Sequence, residues 1–132
     1  MSDRCDVLVV DDEPVVRDAV RLVLGQEGLA VAGAADAESA LGHPAFATCR
    51  LVLCDVMLPG QSGLDAVRAM RQRRPELPIV LITGYATAEI ADRSLEAGAA
   101  AFLAKPFDDT ELLNLVRRVL DATDAAAKEN QP

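Results

Sequence analysis

The chain has 132 residues, with 21 Asp and Glu against 13 Lys and Arg, a formal charge of −8. That length supports one domain with a core of its own, and the acidic balance excludes a nucleic-acid-gripping surface, which needs a basic footprint. Hydrophobic residues make up 51% of the chain but aromatic ones only 3%, so the core has to be aliphatic.

Apolar runs alternate with amphipathic ones. Residues 6–10 (DVLVV) read as a buried strand, and Pro14 suits the first turn of a helix. Val16, Ala19, Val20, Val23 and Leu24 follow at helical spacing, and Gly28 ends that helix. Residues 29–33 (LAVAG) form a weaker second strand, and 36–42 a short helix limited by Pro44. Residues 51–54 (LVLC) are a third strand, stopping at Asp55. After a loop with Pro59, Gly60 and Gly63, Ser62 and Asp65 resemble a capping box for a helix with Leu64, Val67 and Met70 on one face. Residues 79–82 (IVLI) are a fourth strand ending at Thr83, and Thr87 caps a weakly apolar helix that Gly98 terminates. Residues 100–103 (AAFL) are a fifth strand, followed by Lys105-Pro106. Asp108 and Glu111 cap a last helix carrying Leu112, Leu113, Val116, Val119 and Leu120.

Five βα units with continuous apolar strands imply a parallel sheet covered by helices on both faces. The folded part is expected over residues 1–122. Residues 123–132 read as a polar, Ala-rich helix end or linker. Cys5, Cys49 and Cys54 are odd in number and include no CxxC pair, which argues against a disulfide framework or zinc site. Cys5 and Cys54 are expected as small buried residues in a reducing cytoplasm. No stretch is long enough to span a membrane, and the N-terminus runs into a strand without the pattern of a signal peptide. Arg outnumbers Lys and Ala is abundant, as expected of a GC-rich bacterial source.

The chemistry lies at the strand ends. Strand one ends in Asp11-Asp12, strand three in Asp55 and strand four in Thr83, and Lys105 follows strand five. Singly, these are the caps, turn residues and solvated charges of any fold. Together they fall at the carboxyl edge of the sheet, where open α/β folds bind ligands. Three crowded carboxylates repel one another, and Mg²⁺ suits a few carboxylates with water and phosphate oxygens. Lys105 and Thr83 can meet phosphoryl oxygens, and a carboxylate can serve as nucleophile to give an aspartyl-phosphate.

The runs VVDDEP at 9–14, CDVMLPGQSG at 54–63, ITG at 82–84 and LAKPF at 103–107 resemble a CheY-like response-regulator receiver domain of two-component signalling. The match spans about residues 5–120. It implies a flavodoxin-like five-stranded parallel sheet of order 2-1-3-4-5. Asp55 is implied as phosphoacceptor, with Mg²⁺ held by Asp11, Asp12, Asp55 and the backbone carbonyl of Met57. Thr83 and Lys105 are implied to contact the phosphoryl group, Thr83 and Phe102 to act as the switch pair, and Lys105-Pro106 to form a cis bond. Met57 and Tyr85 occupy variable positions expected to tune dephosphorylation. The implied partners are a histidine kinase or histidine phosphotransfer protein. The face of the fourth helix, fifth strand and fifth helix is implied as the switching surface, open to homodimerisation.

Two other classes compete. A phosphatase with an aspartyl-phosphate intermediate, of the haloacid-dehalogenase-like kind, would place its nucleophile in a DxD pattern after strand one, where this chain has adjacent aspartates. A flavodoxin-like cofactor binder would need a Gly-rich or hydroxyl-rich phosphate loop there, where three acidic residues stand. His43, the lone histidine, is expected as a solvated loop residue, and Asp65 as a cap.

Overall fold

The computed structural model describes residues 5–129 apart from positions 59, 61, 85 and 86, and for 125–129 the backbone alone. Tyr85 thus lies outside the described residues. The elements in order are β1 (Val7–Val10), α1 (Pro14–Gln26), β2 (Val31–Ala34), α2 (Ala37–Leu41), a 3-10 turn (Pro44–Ala47), β3 (Leu51–Asp55), α3 (Gly63–Arg73), β4 (Ile79–Thr83), α4 (Ala88–Ala97), β5 (Ala101–Ala104) and α5 (Asp109–Glu129). All strand pairings are parallel, in the order β2-β1-β3-β4-β5.

Successive strand side chains point to opposite faces, and the central strands are apolar at every position up to the polar residues that end β3 and β4, so both faces are buried. Leu8, Val10, Val52, Cys54, Ile79 and Leu81 pack with α2 and α3, where Ala37, Ala40, Leu64, Val67 and Met70 face the sheet. Val7, Val9, Leu51, Leu53, Val80 and Ile82 pack on the other side with Val20 and Leu24 of α1 and Leu112, Leu115, Val116 and Leu120 of α5. Phe46 of the 3-10 turn is buried in the first of these layers, and Phe107 packs against the edge of the second. Cys5, Cys49 and Cys54 are buried free thiols. Burial raises all three, Cys49 to about 11, so none is a thiolate at neutral pH.

The helix starts follow the capping residues. Asp65 N–H donates to Ser62 Oγ (3.2 Å), Ile90 N–H to Thr87 Oγ1 (3.2 Å) and Glu111 N–H to Asp108 Oδ1 (2.8 Å). Gly98 ends α4 at φ 104°, a conformation that favours glycine. His43 is more than a solvated loop residue, because its Nδ1 accepts from Ala45 N–H (3.0 Å) and caps the 3-10 turn.

The second strand starts later than the apolar run suggests. Asp6, fully buried, accepts from Ala30 N–H (2.8 Å), so regular pairing begins at Val31. Asp6 also meets Arg50 (3.2 Å), whose other nitrogen reaches Asp124 of α5 (2.7 Å). α5 runs on through Glu129, well past residue 122.

α4 is lightly anchored: only Ser94 and Ala97 are buried on it, and Leu95 is exposed. Phe102 is not strand core. It is 36% exposed and lines an open apolar groove with Pro78, Leu95, Ala101, Leu115 and Val119. Among the described residues no helix is long and apolar enough to cross a membrane.

The turn from β3 into α3 is set by one close approach. Gly63 N–H donates to Val56 O (2.7 Å), and a Cβ there would stand 2.3 Å from Asp55 O and 2.6 Å from Val56 Cα, both backbone atoms. Gly63→Ala has to push α3 off the end of β3. It is expected to cost about 1–3 kcal/mol, read as a lower urea midpoint at unchanged slope. A wild-type midpoint would show that the contact yields freely.

Candidate functional site

The sheet reverses its strand order between β1 and β3, and both strands finish in acid. Asp11 follows β1 directly and is fully buried, and its N–H donates to Ala34 O on β2 (3.1 Å). Its Oδ1 accepts from Glu13 N–H (2.9 Å), which turns the chain toward Pro14 and α1. Asp55, the last residue of β3, repeats the device: its Oδ1 accepts from Met57 N–H (2.9 Å). Each carboxylate thus gives one oxygen to its own loop and keeps the other for the space between the strands.

That second oxygen differs in the two residues. Asp55 Oδ2 accepts from Lys105 Nζ at 3.0 Å. Asp11 Oδ2 is buried without a hydrogen-bond partner among the described residues, and Lys105 Nζ stands 3.6 Å away. Lys105 is aligned through its own backbone, whose N–H donates to Thr83 O (2.7 Å), and the Lys105-Pro106 bond is cis. Asp12 is exposed at the rim, and Asp11, Asp12 and Asp55 each offer a carboxylate oxygen within 4.8 Å of one another. Thr83 is buried at the end of β4, beside β3, where Asp55 pairs with Ile82.

The electrostatics follow from this crowding. Burial, with the charge of Asp55 adding, raises the Asp11 carboxyl against the Glu13 N–H bond and Lys105, which lower it. Burial alone would lower the Lys105 ammonium, but the hydrogen bond and charge of Asp55, helped by Asp11 and Glu13, outweigh it and hold the pKa above its ordinary value. The two buried carboxylates therefore share Lys105, and the exposed Asp12 adds further negative charge at the rim. An all-oxygen, net-negative donor set with an unsatisfied buried oxygen fits a hard divalent ion.

The structure thus brings Asp11, Asp12, Asp55 and Lys105 together, puts Thr83 at the next strand end and bonds the Met57 backbone to Asp55. The Met57 side chain is 65% exposed at the mouth. Phe102 stands apart from this cluster, on the α4-β5-α5 surface. Arg17 of α1, in none of the sequence motifs, also reaches the site: its Nη1 donates to the backbone carbonyl of Asp11.

Fold and site define a doubly wound α/β protein with an acidic pocket at its topological switch point. The chain belongs to the response regulator receiver domain family, whose model matches residues 7–117. A CheY-like receiver domain protein of Methanospirillum hungatei JF-1 is similar at TM-score 0.86 and 30% identity, covering 94% of this chain and 99% of that one. The receiver domain of NtrX from Brucella abortus is similar at TM-score 0.81 and 38% identity, covering 88% and 98%. Response regulator protein PilR of Pseudomonas aeruginosa is 37% identical over 126 residues, 96% of this chain and 28% of PilR. The chain spans 25% to 54% of the length of the curated relatives it resembles here.

The raised Asp11 carboxyl carries a stability consequence. The folded state holds this proton more tightly than the unfolded chain, so Asp11 costs stability as pH rises from its ordinary value of 3.8 through the folded one. In metal-free protein at pH 7, Asp11→Asn is expected to raise the melting temperature by a few degrees, of the order of 1 kcal/mol. The gain should shrink toward zero below the ordinary carboxylate range. Thermal unfolding of both proteins at pH 7 and pH 3.5 checks this, and an equal gain at the two values contradicts it.

Proposed function

We propose that Asp55 accepts a phosphoryl group from a histidine kinase or histidine phosphotransfer protein of a two-component system. The observation that carries this reading is the Lys105–Asp55 bond at 3.0 Å, set within a cluster of two further carboxylates at one sheet edge. An Asp55 oxygen attacks phosphorus, the donor P–N bond breaks as the O–P bond forms, and the imidazole leaves with the electron pair. Met57 N–H and Lys105 fix the plane of the attacking carboxylate. Lys105 neutralises charge on the transferred group, and the Thr83 hydroxyl donates to one of its oxygens. Asp11, Asp12, Asp55 and the Met57 carbonyl would hold Mg²⁺, which when bound supplies charge neutralisation at the phosphoryl oxygens. In this reading the protein is a cytoplasmic signalling domain, not an enzyme with an external substrate. It catalyses only its own phosphorylation and slow dephosphorylation. Turnover of small phosphate esters would instead favour the phosphatase reading.

The receiver unit is proposed to occupy residues 1–122, with 123–132 as its connecting tail, α5 passing between the two. Phosphate on Asp55 acts as a population shift of the α4-β5-α5 face, since it offers new acceptor oxygens to Thr83 and Lys105. Drawing Thr83 inward opens space for Phe102. Burying a ring that is now 36% exposed contributes to the same shift, and α4 moves at low cost because few of its residues are buried. The altered face then meets a partner or a second copy of the chain.

Two outcomes test this. Acetyl phosphate with Mg²⁺ is expected to add one alkali-labile acyl phosphate, seen by mass spectrometry and abolished in Asp55→Asn. Phosphate on His43 or on a hydroxyl would overturn the assignment. With beryllofluoride as phosphoryl analogue, amide shifts are expected to reach Phe102 and residues 87–98. Shifts confined to the acidic pocket would remove the coupling while leaving the phosphoacceptor in place.

A further inference from the structure

Arg17 sits four residues into α1, half-buried, with its guanidinium returned to the end of β1. Its stem crosses Gly33 of β2. A Cβ at Gly33 would stand 3.2 Å from Arg17 Cδ, 3.7 Å from Arg17 Nε and 3.7 Å from Val9 Cγ1. Gly33 has no positive φ, so its backbone does not call for glycine. A glycine inside a strand costs stability and marks a close approach, and here the approaching group is the Arg17 stem.

The carbonyl that Arg17 holds belongs to the peptide joining Asp11 to Asp12. Asp11 N–H is already bonded to Ala34 O, and Asp11 Oδ1 to Glu13 N–H. With Arg17 on the remaining carbonyl, the peptides on both sides of Asp11 are fixed. Asp12, exposed at the rim, takes its direction from the second of them. We propose that Arg17, seated over Gly33, is a positioning residue that holds the Asp11–Asp12 pair in the geometry of a divalent-cation site. The inference rests on the metal reading of the acidic pocket.

Mn²⁺ alone is the probe, its free fraction read by electron paramagnetic resonance in titrations of the full chain. Thermal unfolding shows that each variant is folded. Arg17→Gln is expected to weaken Mn²⁺ binding about tenfold, the scale of lost outer-shell support. Arg17→Lys, still able to give one donor to the same carbonyl, retains most of the affinity. Gly33→Ala leaves the guanidinium chemistry intact but crowds its stem, and weakens binding in the same direction. In metal-free protein the Asp12 amide resonance shifts in Arg17→Gln and returns toward its wild-type position in Arg17→Lys, a signature that loss of general stability does not produce. Wild-type affinity in Arg17→Gln overturns this inference alone, as does a loss in Arg17→Lys equal to that in Arg17→Gln. Equal Mn²⁺ affinity in wild type and Asp12→Ala overturns the metal reading itself, and this inference with it.

Discussion

Everything at the functional edge depends on one constraint: two carboxylates, Asp11 and Asp55, are buried side by side with a single ammonium between them. Isolated buried charges are costly. The fold limits that cost by giving each carboxylate one backbone N–H two residues ahead and sharing Lys105 between the second oxygens. The sharing is unequal, since Asp55 has a direct bond and Asp11 Oδ2 has none. The repulsion is therefore concentrated at Asp11 Oδ2, between the ends of β1 and β3.

The sheet makes this arrangement possible. Parallel strands buried on both faces leave no sideways exit for polar groups, so the polar residues concentrate where the strands end. β1 and β3 are neighbours although their first paired positions, Val7 and Leu51, lie 44 positions apart in the chain, and that pairing turns Asp11 and Asp55 into a pair. The aliphatic layers hold the strands level, and α3 begins so close to β3 that only glycine fits at position 63.

Much of this was legible in the sequence because it rests on local chemistry. The five apolar runs, the helix caps Ser62, Thr87 and Asp108 and the stop at Gly98 each follow from one residue type meeting one backbone need. The acidic pocket was legible because its members stand directly at strand ends, where position along the chain becomes position in space. Side chains that reach sideways were not. Arg17 reads as an ordinary polar position of an amphipathic helix, and only the returned chain and the gap at Gly33 give it a role. Asp6 reads as the first residue of a strand. Its burial depends on Ala30 and Arg50, 24 and 44 residues away, and moving the start of β2 is a consequence of that contact. The outward turn of Phe102 was not legible either, because it depends on β5 lying at the sheet edge.

The long α5 has a further consequence. It is bonded to Glu27, the residue that caps the end of α1, through Arg117 (2.7 Å) and to the far end of the sheet through Asp124 and Arg50 (2.7 Å), two contacts seven residues apart on one side of the helix. Seven residues are nearly two full turns, and each added residue advances a helix by about 1.5 Å and rotates it by about 100°. The last turns are thus indexed against the sheet like a keyed shaft. Any segment joined in continuous helix beyond residue 129 would inherit a fixed bearing, and one inserted or deleted residue would swing it to a different side of the molecule.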